Sequence, residues 1–232
     1  LYPDKGVLFG GDNYYKSWPN LSPIRGAPYR DIKAWIHSLD MMLAEEAEVL
    51  VAGHTRPLIG KALVKESMTH YRDAIKFVFD KTIEGINKGL TPDQLVSYVQ
   101  LPKKYLELDN IRPYYGNPEW AVRAIFTYYL GWFDGNPLNL FPLAPKDEAM
   151  RMVELAGGVD TLQKKAEEAL ANQDYKWAAK LADYLLAFAP QAKRPKLIKA
   201  EALEAIGETV LSGIGRNYYF TVAQELRNAV NK

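Results

Sequence analysis

The sequence predicts a predominantly α-helical protein that carries a short α/β segment over its first 60 residues. Three observations lead to this. Two apolar runs, "GVLFGG" and "AEVLVAG", are bounded by glycine and flank a single helical stretch. From Lys61 onward, apolar residues recur at helical rather than alternating spacing. The breaks in that later region are helix-ending signals: Gly89, "DGNP", Gly157-Gly158, Pro190 and Gly213.

Taken in order, Val7–Gly10 reads as a buried strand entering a Gly-Gly-Asp turn, followed by a loop rich in Pro, Tyr and Trp. "RDIKAWIHSLDMMLAEE" places Ile32, Trp35, Ile36, Leu39 and Leu43 on one helical face, and "AEVLVAG" is a second strand. Alternating helix and strand suggests an α/β layer. "KALVKESMTHYRDAIKFVFDKTIEGINKGL" then predicts a long amphipathic helix closed by Gly89. Thr91 and Pro92 supply the N-cap and first position of the next one. "NPEWAVRAIFTYYLGWF" predicts a further helix ended by "DGNP", and four or five more follow from about Lys146. "DTLQKKAEEALANQDYKWAAKLADYLLAFAP" resembles one tetratricopeptide-type hairpin, and a single unit is not an array.

Composition excludes several classes. A formal charge of +1 gives no electrostatic case for nucleic acid or an anionic membrane. No apolar run approaches the ~20 residues a bilayer span needs. With no cysteine there are neither disulfides nor thiolate metal sites, and the compartment stays open. The chain opens on "LYPDKGVLFGG" without an initiator Met, and reaches a strand by Val7. It therefore reads as the C-terminal part of a longer protein.

The chemistry-bearing candidates are few. Asp12 and His54 each follow the C-terminal end of a predicted strand, where α/β layers place functional loops. A carboxylate with an imidazole suits zinc, although a single His after a strand is more often structural or merely exposed. "SPIRGAPYRD" places Arg25 and Arg30 five apart across a turn, and guanidinium forks suit sulfate, phosphate or carboxylate. Pairing of Arg30 with Asp31, or capping of the next helix, is the plainer alternative. Tyr114 and Tyr115 precede Gly116, and phenols there can hydrogen-bond an anion. Tyr128, Tyr129, Trp132 and Phe133 suit core or interface packing, and Trp120, Tyr175, Trp177 and Tyr218–Phe220 suit packing. His37 and His70 lie mid-helix with no evident role.

Four blocks in order, "GGDNYY…PNLSPIRGAPYRD", "VLVAGHTRP", "YYGNPEWAVRAIFTYYLGWFDGNP" and "GRNYYFTVAQELR", resemble the alkylsulfatases of the metallo-β-lactamase superfamily. The resemblance implies that residues 1–60 are the α/β tail of a metallo-β-lactamase-like domain. It implies that residues 61–232 are the helical alkyl sulfatase dimerisation domain. It further implies a homodimeric enzyme with two zinc ions per complete site that hydrolyses alkyl sulfate esters to alcohol and sulfate, with no nucleic-acid partner and no transmembrane segment. By the same resemblance Asp12 and His54 are metal ligands, Arg25 binds sulfate, and Tyr114 or Tyr115 contacts sulfate or the reacting water. Asp12 departs from the Glu more usual in alkylsulfatases. The family's His-x-His-x-Asp-His motif is absent from this sequence, so the segment by itself is expected to be inactive. Many relatives are exported, which favours periplasm or secretion. Two other readings stay open: another ester hydrolase of the same superfamily, or a non-catalytic dimerisation and helical-repeat module.

Overall fold

A computed structural model describes residues 1–26 and 28–231 and resolves them into two compact units, Leu1–Asn136 and Pro137–Lys232. The first unit contains the sheet. Strands β1 (Val7–Gly11), β2 (Val49–Ala52) and β3 (Leu58–Ile59) lie in that order. β1 and β2 run parallel, with Val7 opposite Val49 and Leu8 opposite Leu50. Parallel neighbours need a crossover, and helix α1 (Ile32–Ala44) provides it. Asp31 caps α1 by accepting from the Ala34 amide at 3.0 Å. The two-residue β3 pairs antiparallel with β2, and the sequence carries no separate signal for it.

Helix α2 (Lys61–Asn87) buries Val64, Met68, Tyr71, Ile75 and Val78, spaced by four, three, four and three residues. That face packs on α1 and on α5 (Pro118–Leu130), within one core that includes Leu8, Ile32, Leu39 and Leu50. Helix α3 (Pro92–Tyr98) starts at Thr91 with a reciprocal capping box to Gln94. The one-turn α4 (Lys103–Leu106) follows. The change from strands to helices at residue 60 is thus a change of secondary structure within a single packed unit. The compact-unit boundary falls at 136/137 instead.

The second unit stacks α6 (Pro145–Ala156), α7 (Val159–Ala171), α8 (Tyr175–Phe188), α9 (Lys193–Thr209) and α10 (Gly213–Asn231). Its core is lined largely by alanine: Ala166, Ala169, Ala178, Ala182 and Ala202, with Leu162, Leu185 and Ile198 between them. Short side chains let the helix backbones approach closely. α7 and α8 form the hairpin the sequence suggests, turning at Gln173, whose φ is +62°.

Two expectations change. Helix α5 ends at Leu130 rather than at "DGNP", because the chain leaves helical geometry at Gly131. Trp132 and Phe133 therefore lie beyond the helix rather than on its face. Tyr128, Tyr129 and Trp132 are 54%, 46% and 70% exposed, which speaks against core packing and leaves the interface alternative open, while Tyr128 stacks on Tyr29 at 3.8 Å and Tyr129 lies 6.3 Å from Phe79. Trp177 and Tyr218 are likewise exposed, on the outer faces of α8 and α10. Phe220 and Tyr219 do pack, against Gly207 of α9. Among the described residues no helix is long and apolar enough to cross a membrane.

The end of α2 is tied to α3 through Glu84, which accepts from Lys81, Lys88 and Tyr98 at 2.6, 2.6 and 2.5 Å. These partners, Lys81 first, hold its carboxyl down to about 2 from the ordinary 4.5. A carboxylate so depressed stabilises the fold above pH 4.5 and loses that contribution as pH falls toward 2. Urea midpoints measured across that window should therefore fall less in Glu84→Gln than in the wild type. Because these groups are solvent-exposed, the difference should shrink in high salt.

Candidate functional site

The parallel pairing of β1 and β2 brings both strand ends to one edge. The Gly53 amide donates to the Gly11 carbonyl at 2.9 Å, so the two strands leave the ladder side by side. Asp12 is the next residue after β1, and His54 follows one residue after Gly53. Their side chains meet, with His54 Nε2 3.2 Å from Asp12 Oδ1, and both remain largely exposed to the cleft. Glycine at position 53 permits this approach, because a Cβ there would stand 2.5 Å from Asp12 Oδ1.

The cleft they open into has a volume of about 410 Å³. Asp12, Tyr15, Arg25, Arg30, His54 and Tyr115 line it, with Asn20 and Trp35. Helix α1 steadies its floor. The Trp35 indole N–H donates to the Asn13 carbonyl at 2.9 Å, and the Asn13 amide donates to Ser38 Oγ at 2.8 Å. Tyr15 stands between two cleft residues, its ring edge-on to His54 at 5.9 Å and to Tyr115 at 5.5 Å. Asn20 is 2% exposed, and its amide oxygen has no hydrogen-bond partner. No local pattern in the sequence marks Tyr15 or Asn20. The "NYYKSWPN" stretch holds both, yet nothing in its spacing says which side chains face inward.

Tyr115 reaches the cleft from far along the chain because two loops are zipped together. The Trp18 amide donates to the Arg112 carbonyl at 2.8 Å, and the Gly116 amide to the Trp18 carbonyl at 3.0 Å. Ser17, itself buried, donates through Oγ to the Arg112 carbonyl at 2.9 Å and accepts from the Tyr115 amide at 3.1 Å. Trp18 is fully buried beneath this junction. Of the two adjacent tyrosines, Tyr115 lines the cleft. Tyr114 is 44% exposed and lies against the Arg112 guanidinium, 5.9 Å from its ring.

Both arginines line the cleft, and no ion pair joins Arg30 to Asp31 among the described residues. His37 and His70 stay on α1 and α2 outside it.

Among the described residues, no group of three or more His, Asp or Glu side chains is placed to hold a metal ion. The Asp12–His54 pair does fit two corners of a zinc shell. Tetrahedral ligands about 2.0–2.1 Å from zinc stand about 3.3–3.4 Å apart, near the separation seen here. The pair supplies a hard oxygen and an imidazole nitrogen, the donor types zinc accepts. The remaining corners would have to come from other donors.

Fold and cleft together describe a helix-rich chain whose strand ends hold a carboxylate–imidazole pair beside two guanidinium groups. Residues 91–229 match the alkyl sulfatase dimerisation family, and the chain belongs to that family. It is 37% identical over 226 residues to a linear primary-alkylsulfatase of Pseudomonas sp.. It is also 34% identical over 232 residues to an (R)-specific secondary-alkylsulfatase of Pseudomonas sp.. An alkyl/aryl-sulfatase of Saccharomyces cerevisiae is 30% identical over 233 residues. These alignments cover 97–99% of this chain but only 43%, 35% and 36% of the respective relatives. Among solved structures, a stereoselective inverting sec-alkylsulfatase from Pseudomonas sp. superposes with a TM-score of 0.93 at 34% identity. That match covers 99% of this chain and 37% of the other.

The loop junction sets a sharp steric test. A Cβ on Gly116 would lie 1.9 Å from the Pro19 carbonyl oxygen, a backbone atom with no room to yield. Gly116→Ala should therefore cost about 1–3 kcal/mol of stability, or more, in urea unfolding. It should also displace Tyr115 from the cleft, which a Tyr115-sensitive NMR or fluorescence signal would report.

Proposed function

We propose that this chain supplies part of the active site of a zinc-dependent hydrolase of the metallo-β-lactamase type that cleaves alkyl sulfate esters to alcohol and sulfate. The observation that carries this reading is the convergence of Asp12, His54, Arg25 and Tyr115 on one cleft, in a chain whose relatives are named alkylsulfatases. Asp12 and His54 would hold metal at the strand ends. Bound zinc supplies hydroxide at neutral pH by lowering the pKa of its water toward ~7. Arg25 neutralises the sulfate oxygens with a planar fork that matches them. The Tyr115 phenol donates a hydrogen bond to the same group as charge shifts onto it.

In the whole protein, dodecyl sulfate should release sulfate at a rate that falls at least about 100-fold in Asp12→Ala or His54→Ala, as expected for loss of a ligand. Arg25→Ala should chiefly raise KM. Longer alkyl chains should bind tighter, since each buried CH₂ contributes ~0.8 kcal/mol. Turnover of a thioester or phosphodiester in preference to alkyl sulfates would replace this reading with another hydrolase of the same superfamily.

We also infer that the chain self-associates as a homodimer. The dimerisation family match supports this, as does the exposed run in the second unit, where Leu138, Phe141 and Leu143 are 78%, 92% and 53% exposed. Isolated apolar side chains are common on surfaces, but several large ones exposed within six residues are a patch suited to an interface. Light scattering should report a dimer, and Phe141→Asp should shift it to a monomer that keeps its helical circular dichroism. A monomeric wild type would sink this inference.

A further inference from the structure

We propose that Tyr15 is a positioning residue of the cleft: its ring, packed between His54 and Tyr115, fixes the imidazole and the phenol relative to each other. The roles of His54 and Tyr115 rest on the function proposed above; the placement of Tyr15 between them rests on the cleft alone.

The strand end fixes the backbone of His54, and Asp12 meets its Nε2 at 3.2 Å. Among the described residues, however, no hydrogen bond holds the second ring nitrogen, Nδ1. A metal-binding imidazole is usually oriented by a hydrogen bond at that other nitrogen. Here the ring of Tyr15 takes over the task. It stands edge-on to the imidazole, with centroids 5.9 Å apart and planes at 81°, within the range where aromatic pairs attract. Rotation of the imidazole away from Asp12 would give this contact up.

Tyr115 arrives from a distant loop and meets the same Tyr15 ring at 5.5 Å and 61°. One side chain thus touches both groups. Its own backbone is held on both flanks. Tyr14 is 1% exposed, its ring 5.0 Å from that of the fully buried Tyr71, and the Ser17 amide donates to the Tyr15 carbonyl at 2.8 Å. Ser17 Oγ also accepts from the Tyr115 amide, so the two tyrosines are tied through main chain and ring alike. A ring anchored in this way acts as a spacer, and both of its contacts are made by the ring rather than the hydroxyl. The leverage is large, because misplacing a reacting group by about 1 Å can cost ~100-fold in rate.

The test has one arm on this chain without metal and one on the whole protein. In NMR spectra of the metal-free chain, the Tyr15 ring protons should show Overhauser contacts to the rings of both His54 and Tyr115. Tyr15→Leu should shift and broaden the His54 and Tyr115 ring signals, and Tyr15→Phe, which keeps the ring, should restore them. In the whole protein, Tyr15→Leu should weaken zinc binding about tenfold, as for loss of a group that orients a metal ligand. Its turnover of an alkyl sulfate should fall about tenfold or more, and Tyr15→Phe should restore both. Thermal unfolding checks that each variant is folded, and Tyr15→Met carries the test if Tyr15→Leu is not. A Tyr15 that only fills space would lower the unfolding midpoint and leave zinc affinity and the His54 signals of the folded variant unchanged. That result would overturn the proposal, as would equal losses in Tyr15→Phe and Tyr15→Leu. A whole protein that binds no zinc would count against the function proposed above and leave Tyr15 to the metal-free spectra, where the lack of either Overhauser contact overturns the proposal.

Discussion

The parallel pairing of β1 with β2 is the constraint on which the candidate site depends. The ladder opens with the Glu48 and Val49 amides donating to the Gly6 carbonyl and closes with the Gly53 amide on Gly11. Parallel strands point their C-terminal ends the same way, so Asp12 and His54 leave the sheet at one edge although 42 positions apart in the chain. Side chains alternate along a strand, so a one-residue slip in this register would turn the flanking residues to opposite faces. The crossover α1 does two jobs: it packs the sheet through Ile32, Ile36 and Leu39, and through Trp35 and Ser38 it holds the loop after β1.

The second half of the cleft depends on a different kind of constraint. No sheet or helix connects residues 17–20 with 112–116; backbone hydrogen bonds and one buried serine do so, over a fully buried Trp18. Hydrogen bonds at such a partly buried junction are costly to lose singly, because a broken one leaves Ser17 or a shielded backbone group unpaired. The consequence is functional. Tyr115 lies within the region that matches the dimerisation family, yet it faces the same cleft as Asp12 and His54. The family match, 91–229, and the compact-unit boundary at 136/137 therefore cut the chain at different places. The matched region contributes to the cleft as well as forming the helical stack.

That stack obeys simpler rules. Alanine at facing positions of α7, α8 and α9 brings backbones close, and Tyr175 and Tyr184 pack at the margin of that core. The balance of 29 basic and 28 acidic residues gives the surface no net field to steer a charged macromolecule, so anion attraction must be local, as at Arg25 and Arg30.

The sequence by itself determined the helical excess, the two buried strands of an α/β layer, the long α2, the Thr91 cap and the α7–α8 hairpin. All of these rest on local periodicity and capping chemistry, which a short window contains. It also singled out the residues that converge, because strand ends and arginine turns are local features too. Only the tertiary structure decided what depends on contacts between distant segments. It separated Tyr115 from Tyr114, added Tyr15 and Asn20 to the cleft, paired β3, and joined residues 61–136 to the sheet in one unit. It also turned Tyr128, Tyr129 and Trp132 outward. The physical reason is the same in each case. Which way a loop side chain faces, or whether an aromatic is covered, is set by what packs against it, and that partner lies beyond the reach of any local pattern.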